Sequence, residues 1–318
     1  MSEIKHFVYP PTGVEHYGEV IDSKEGFDVI ECEICEFKHI IPIPTPEELD
    51  KLYKEEFYST EKPKYLERHL EDLEWWNLVY SDRYDIFEEN IHYNRRSILD
   101  IGSGPGFFLL EGKRRGWKTL GIDSSKQAVE HARNMGVEII EGLFSLSLVD
   151  KLDKFDVVHM NNVLEHIPDP ISMLKIIYDI LKPGGLLCIS VPNDYNPFQH
   201  VLREVHNYDP YWIAPPEHIN YFNPESLGKL FKKIGFEVIL KEATFPIDIF
   251  LLMGDNYVGD DALGRLCHKK RMLFELSLKK SKYNILKREL YKAFAALGIG
   301  REITIYGRKS IRKDDYYE

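Results

Sequence analysis

Four cysteines in 318 residues, no apolar run of membrane-spanning length and a deficit of positive charge set the first limits on this chain. Cys32, Cys35, Cys188 and Cys267 include one close pair, too few for a disulfide framework in a chain long enough to bury a large core. No segment approaches the roughly 18–20 apolar residues that span a bilayer. Met1 to Gly13 is polar and broken by proline rather than shaped as a signal peptide, so a cytoplasmic chain with no membrane partner is expected. Forty-one Lys and Arg against 52 Asp and Glu leave a formal charge of −11, which argues against a surface built throughout for phosphate backbones, and nucleic acid is not the expected partner. Repeats and low-complexity tracts are absent too, and 13% aromatic residues argue against global disorder.

What is present divides the chain into three parts. Residues 1–44 are dotted with Gly, Pro and His, carry the Cys32/Cys35 pair and end in Ile41-Pro42-Ile43-Pro44, which suits a small β-rich module. Residues 45–95 are expected to be a helical cap. Thr45-Pro46-Glu47-Glu48 has the form of a capped helix start, and an acidic amphipathic helix follows over 65–90, with Leu66, Leu70, Leu73, Trp76, Tyr80, Tyr84 and Phe87 at steps of three or four. From 96 to 318 short apolar runs alternate with helical patterns, which means a mostly parallel sheet covered on both faces. A helical insertion at about 250–298 precedes the last strand. From Ala262 to Lys313 there are fifteen Lys and Arg against three Glu, a surplus of twelve that leaves −23 on the rest of the chain.

The sharpest motif is Asp100-Ile101-Gly102-Ser103-Gly104-Pro105-Gly106, directly after an apolar strand and before a helix. Glycines there let the backbone turn and approach a ligand closely, while loop amides face it. A second strand ends in Asp123, about twenty residues on, where a carboxylate can accept from the hydroxyls of an adenosine ribose. A dinucleotide fold wants its third glycine at position 107, which here is Phe. Asp100 would repel a pyrophosphate but suits a ligand carrying an ammonium and a sulfonium. Both points favour S-adenosylmethionine over a nicotinamide dinucleotide.

With Gly121-Ile122-Asp123, the run Phe155 to Pro170 and Leu181-Lys182-Pro183-Gly184-Gly185 following in order, the chain resembles the class I S-adenosylmethionine-dependent methyltransferases over Arg96 to Lys309. That broad type includes ubiquinone-biosynthesis O-methyltransferases and many natural-product and sugar methyltransferases. The resemblance implies a Rossmann-like seven-stranded α/β sheet with helices on both faces. It also implies that Asp100, Gly102 and Gly104, with Ser103 and Gly106 of the same loop, hold the methionine end. Asp123 and Ser124 would hold the ribose, Gly142, Leu143 and Phe144 would flank the adenine, and Asn161 and Asn162 would lie beneath the sulfonium.

Methyl transfer from a sulfonium needs a base only when the acceptor is an un-ionised hydroxyl. His166, in Leu164-Glu165-His166-Ile167-Pro168, and His218, in Pro215-Pro216-Glu217-His218, are the two candidates. Arg203, Tyr208, Tyr211 and Trp212 are candidates for an acceptor wall or for packing on the sheet. Asn161-Asn162-Val163-Leu164 is not the Asn/Asp-Pro-Pro-aromatic motif used on nucleobase amines, so a small polar acceptor of sugar or nucleotide-sugar type is expected. A catalytically silent binding or assembly protein of the same fold, or an RNA-directed enzyme, is the alternative, and monomer and homodimer both remain open. Related methyltransferases carry a two-knuckle zinc ribbon at the N-terminus, but this chain has one Cys-x-x-Cys, with His6, His16 and His39 nearby. A zinc site there and a metal-free hairpin are both open, and no metal ligand is assigned.

Overall fold

Residues 3–52, 65–92 and 94–311 are described by a computed structural model of the chain. The N-terminal stretch forms β1 (Ile4–Tyr9), β2 (Val14–Lys24), β3 (Phe27–Cys32) and β4 (Lys38–Ile41), each antiparallel to the next. The helix start at Thr45 opens α1 (Pro46–Leu52), and the Thr45 amide donates to Glu48 Oε2 at 2.8 Å while the Glu48 amide donates to Thr45 Oγ1 at 3.3 Å. This reciprocal pair is a capping box. Residues 53–64 of the expected helical cap lie outside the described residues.

The single helix expected over 65–90 is instead two, α2 (Tyr65–Glu71) and α3 (Leu73–Asn90), parted at Asp72. The Asp72 carboxylate is buried and gripped by Arg265 and by His268, the latter at 3.2 Å. A buried charge must keep its partners, and the chain bends where that requirement falls.

The remaining elements are β5 (Ser97–Ile101), α4 (Phe107–Arg114), β6 (Lys118–Asp123), α5 (Lys126–Asn134), β7 (Ile139–Glu141), α6 (Leu146–Val149), β8 (Phe155–Asn161), α7 (Pro170–Ile180) and β9 (Leu181–Pro192). They continue with α8 (Pro197–His206), β10 (Asn220–Tyr221), α9 (Pro224–Ile234), β11 (Phe236–Ala243), α10 (Asp248–Leu252), α11 (Asp261–Lys280), α12 (Asn284–Ala296) and β12 (Glu302–Lys309). The large sheet has the order β11-β12-β9-β8-β5-β6-β7. β12 runs antiparallel to both its neighbours, and the pairs from β9 to β7 are parallel.

Alternation along the central strands sends side chains into two separate apolar layers. Ile98, Val157, Leu186 and Cys188 pack with Tyr84, Phe87 and Phe108 of α3 and α4. Leu99, Val158, Leu187 and Ile189 pack with Leu174 and Ile177 of α7 and Leu227 and Phe231 of α9. The Lys182-Pro183-Gly184-Gly185 segment is not a free turn after α7. It is drawn into β9 as a bulge, so that Phe155 pairs with Leu181 and Val157 with Leu186.

The small sheet has five strands, β1-β2-β3-β4-β10, the last contributed from near residue 220. The insertion between β11 and β12 is α10 to α12, and its basic residues face acids of the cap. Lys287 meets Asp82 at 2.7 Å, Arg288 meets Glu89 at 2.8 Å, Lys280 meets Glu74 at 3.0 Å and Arg265 meets Glu71 at 2.8 Å. Part of the +12 is therefore spent inside the molecule. Among the described residues no helix is long and apolar enough to cross a membrane.

The cap docks on the sheet through a close contact. A Cβ added at Gly112 of α4 would lie 2.1 Å from Tyr84 Oη and 2.6 Å from Cζ, and Tyr84 is fully buried. Helix propensity alone favours Ala over Gly by about 1 kcal/mol. Overpacking against a ring that cannot move costs about 1–3 kcal/mol. Gly112→Ala should therefore lower the urea midpoint at unchanged m-value, and an unchanged or raised midpoint would show that the contact relaxes freely.

Candidate active site

Strand order reverses between β5 and β8, the position in an open α/β sheet where a crevice opens at the carboxyl ends of the strands. The glycine loop leaves β5 there. The amides of Gly102 and Ser103 both donate to Ile122 O, at 2.8 and 3.1 Å, which tucks the loop against the end of β6. Gly102 has φ +71°, and a Cβ on it would lie 2.4 Å from Val163 Cγ2, so this position admits no side chain. Phe107, where a dinucleotide fold would need glycine, stacks on His69 of α2 at 4.3 Å.

Asp123 closes the loop from the other side. Its Oδ2 accepts from the Gly104 amide at 2.8 Å and its Oδ1 from the Ser125 amide at 2.8 Å. Ser124 beside it is exposed, whereas Ser125 is the N-cap of α5. Gly142, bonded through its amide to Asp123 O, has φ +143° and open space where a Cβ would stand. Leu143 next to it is 70% exposed, and Phe144 is partly buried against the core. An acid, an open glycine and an exposed apolar side chain thus border the ends of β6 and β7.

Asp100 is buried, and its Oδ1 contacts His159 Nδ1 at 2.7 Å. Arg83 of α3, itself buried, donates Nη1 to His159 Nε2 at 2.7 Å and to Asn161 Oδ1 at 2.9 Å, and Nη2 to Ser190 Oγ at 2.7 Å. A guanidinium only donates, so His159 Nε2 is the acceptor and its Nδ1–H points at Asp100. Burial holds the imidazole pKa below its usual value, against the pull of Asp100, so the ring stays neutral between two charges. Arg83 was missed by the motif reading. Its signal was present, an arginine on the apolar stripe of an amphipathic helix. Asn162 lies apart from this network, exposed, with φ +54° and Nδ2 donating to Glu302 Oε1 at 3.2 Å.

The two candidate bases come together. The rings of His166 and His218 lie 5.0 Å apart in an edge-on arrangement, and His166 Nδ1 donates to Glu217 O at 2.8 Å. Beside them lies Glu165, which the sequence reading passed over: it is buried, with His166 Nε2 3.8 Å from its Oε1. Neither Glu165 carboxylate oxygen has a hydrogen-bond partner among the described residues, nor does His218 Nδ1. Ligand atoms of the three residues lie within 4.8 Å of one another. Burial raises the Glu165 pKa well above the carboxylate range, and burial followed by the neighbouring His166 and Arg301 lowers His218 to about 3. Two imidazoles and a carboxylate in this arrangement can take a proton from a hydroxyl or seat a divalent cation.

The segment before His218 divides between packing and support. Arg203 pairs with Asp22 of β2 at 2.8 Å, the Tyr211 hydroxyl donates to Asp248 at 2.5 Å, and Trp212 is buried with Tyr9, Val29 and Ile40. A cavity of about 60 Å3 beside Asn161 is lined by Trp75, Arg83, Glu242, Glu302 and Tyr306 among others. Trp76 joins its wall to that of a larger cleft of about 400 Å3 between α2 and α11.

This strand order, with one antiparallel strand between two neighbours and a glycine loop and acid at the switch point, defines the class I S-adenosylmethionine-dependent methyltransferases. Residues 61–241 match the methyltransferase domain family, and the chain belongs to it. Among curated proteins, the ubiquinone biosynthesis O-methyltransferase of Dinoroseobacter shibae is 31% identical over 153 residues, covering 46% of this chain and 61% of that one. The protein of the same name from Aeromonas salmonicida is 36% identical over 104 residues, covering 31% and 44%. The chain thus spans about half the length of the curated relatives it matches. Among solved structures, a SAM-dependent methyltransferase from Archaeoglobus fulgidus aligns over 76% of this chain and 99% of its own, at 18% identity and a TM-score of 0.48.

Arg83 gives this site a direct test. Arg83→Met keeps most of the volume but leaves Asp100 without its compensating charge, and breaking a buried charge network in this way costs about 3–5 kcal/mol. Urea unfolding should show that loss. Adding Asp100→Asn should recover part of it, whereas additive losses in the double variant would mean that the two groups are not coupled.

Proposed function

We propose that this chain transfers a methyl group from S-adenosylmethionine to a hydroxyl oxygen of a small polar acceptor. The observation that carries the reading is the glycine loop held by Asp123 at the switch point, with Gly102 packed on Val163, two residues before Glu165 of the His166 and His218 cluster. Bound in that crevice, S-adenosylmethionine would supply an electrophilic methyl on a sulfonium. Asp123 would accept from the ribose hydroxyls, with Ser124 beside it, and Leu143 and Phe144 would cover the adenine. Asp100 would face the ammonium of the methionine end, held by His159 and Arg83. Asn161, fixed by the same guanidinium, would border the reacting methyl.

His218 is the residue we assign to the acceptor proton, with His166 oriented beside it by Glu217 O. A second reading rests on Glu165, whose buried carboxylate oxygens lack partners: the three side chains seat a divalent cation, which binds and acidifies the acceptor hydroxyl. The acceptor hydroxyl would lie within hydrogen-bond reach of His218. The similarity to O-methyltransferases over part of the chain supports oxygen as the acceptor atom.

Calorimetry separates these readings. Wild-type chain should bind S-adenosylmethionine, and Asp123→Ala should weaken binding roughly 10- to 100-fold, the worth of hydrogen bonds to a charged group. Folded protein that shows no binding would be a silent member of the fold. His218→Ala should keep cofactor affinity and lower turnover about 100-fold, measured by labelled methyl transfer to a panel of sugars and nucleotide sugars. Turnover abolished by chelation and restored by Mg2+ would select the cation reading.

A further inference from the structure

The N-terminal sheet brings four potential metal ligands to one buried point. His16 comes from β2, Cys32 from the end of β3, Cys35 from the turn that follows and His39 from β4, and all four are buried. Their ligand atoms lie within 4.8 Å of one another. His6, the other nearby histidine, lies outside this group, exposed and paired with Glu15 at 3.0 Å. We propose that His16, Cys32, Cys35 and His39 form a tetrahedral zinc site that fixes the loop carrying His218.

Distances support the coordination. Zn–N near 2.0–2.1 Å and Zn–S near 2.3 Å imply tetrahedron edges of about 3.3 Å between two nitrogens and about 3.6 Å between nitrogen and sulfur. Here His16 Nδ1 lies 3.2 Å from His39 Nε2, 3.4 Å from Cys35 Sγ and 3.9 Å from Cys32 Sγ. Hydrogen bonds do not account for the cluster. His39 Nδ1 donates to Ile40 O at 2.9 Å, which makes Nε2 a bare acceptor. If His16 Nδ1 donates to it, that nitrogen cannot also accept from the two thiols. A cation at the common centre satisfies all four lone pairs, and the His39 contact to Ile40 O is the outer-shell bond that orients a zinc-bound imidazole. Two sulfurs and two imidazoles select zinc over hard cations.

The turn is built to present the sulfurs. The Glu36 amide donates to Cys32 O at 2.9 Å with Glu36 at φ +64°, and the Cys32 amide donates to Phe37 O. Gly18 stands opposite Cys32 across the strand pair.

Metal ligation reaches the active site through one strand. His39 pairs with Asn220 of β10, the Ile40 amide donates to Ile219 O at 2.9 Å, and the Ile219 amide donates to Glu165 O at 2.8 Å. His218 precedes that strand directly, and Phe37 packs on Phe222 with ring centres 4.9 Å apart.

The test uses the full chain purified without chelator. Elemental mass spectrometry should find a single zinc per chain, and Co2+ exchanged into wild type should give strong tetrahedral visible bands with sulfur-to-cobalt charge transfer. Cys35→Ser and His39→Ala should lose the metal. Folded, reduced wild type that takes up neither metal, or a cobalt spectrum without sulfur ligation, overturns the site even if the variants fail to fold. Removing zinc should speed amide exchange at Ile40 and Tyr221 while β5 and β8 stay protected, and unchanged exchange there overturns the link to the loop. S-adenosylmethionine calorimetry on the same samples reports separately on the cofactor.

Discussion

The guanidinium of Arg83, buried at the carboxyl ends of the central strands, is the interaction on which the site depends. It lies on α3, outside the nucleotide-binding unit, and reaches into the sheet to hold His159, Asn161 and Ser190 at once. Through His159 it balances the charge of Asp100, and Ser190 passes the network on to Thr304 of β12 at 2.6 Å. A buried carboxylate without such compensation would carry the full cost of losing its hydration. The cap helix is thus a part of the cofactor end of the sheet and more than a cover over it.

Arg83 on α3 fixes the cap, and the charge distribution follows from that. The acidic outer face of α2 and α3 needs a partner, and the basic hairpin of α11 and α12 supplies it. Exposed pairs such as Lys280 with Glu74 contribute little. The buried members contribute more specificity: Arg271 and Lys287 surround Glu275, whose Oε2 accepts from Trp75 Nε1 at 2.7 Å. Five acids of the cap, Glu71, Asp72, Glu74, Asp82 and Glu89, therefore meet four cations of the basic stretch, Arg265, Lys280, Lys287 and Arg288.

Much of this was legible beforehand because it is local. The seven strands follow from short apolar runs between glycine and proline punctuation, and the kind of sheet they form from several family motifs in the family's order. Asp123 and the glycine loop were readable from spacing alone. The break at Asp72 was not, because the carboxylate that ends α2 finds its partners in Arg265 and His268, nearly two hundred residues on. Glu165 was overlooked for a similar reason: a Glu-His pair is unremarkable until a distant loop brings His218 against it. The Cys-x-x-Cys pair looked incomplete because a second such pair is missing, and His6, His16 and His39 were equal candidates until the register of β2, β3 and β4 brought His16 and His39 to the sulfurs and turned His6 to Glu15.

The two additions to the catalytic sheet act on it in a common way. Each is joined to an element that carries a candidate site group. The N-terminal sheet completes itself with β10 and so holds the segment around His218, while the insertion braces α3 and so holds Arg83. Rigid support from outside the site is what proximity catalysis demands, since displacement of a positioned group by about 1 Å can cost a hundredfold in rate. Changes far from the crevice, in β4 or in α11, should therefore reach the chemistry through these two contacts, since the glycine loop itself is hydrogen-bonded to the end of β6 and to His131 of α5.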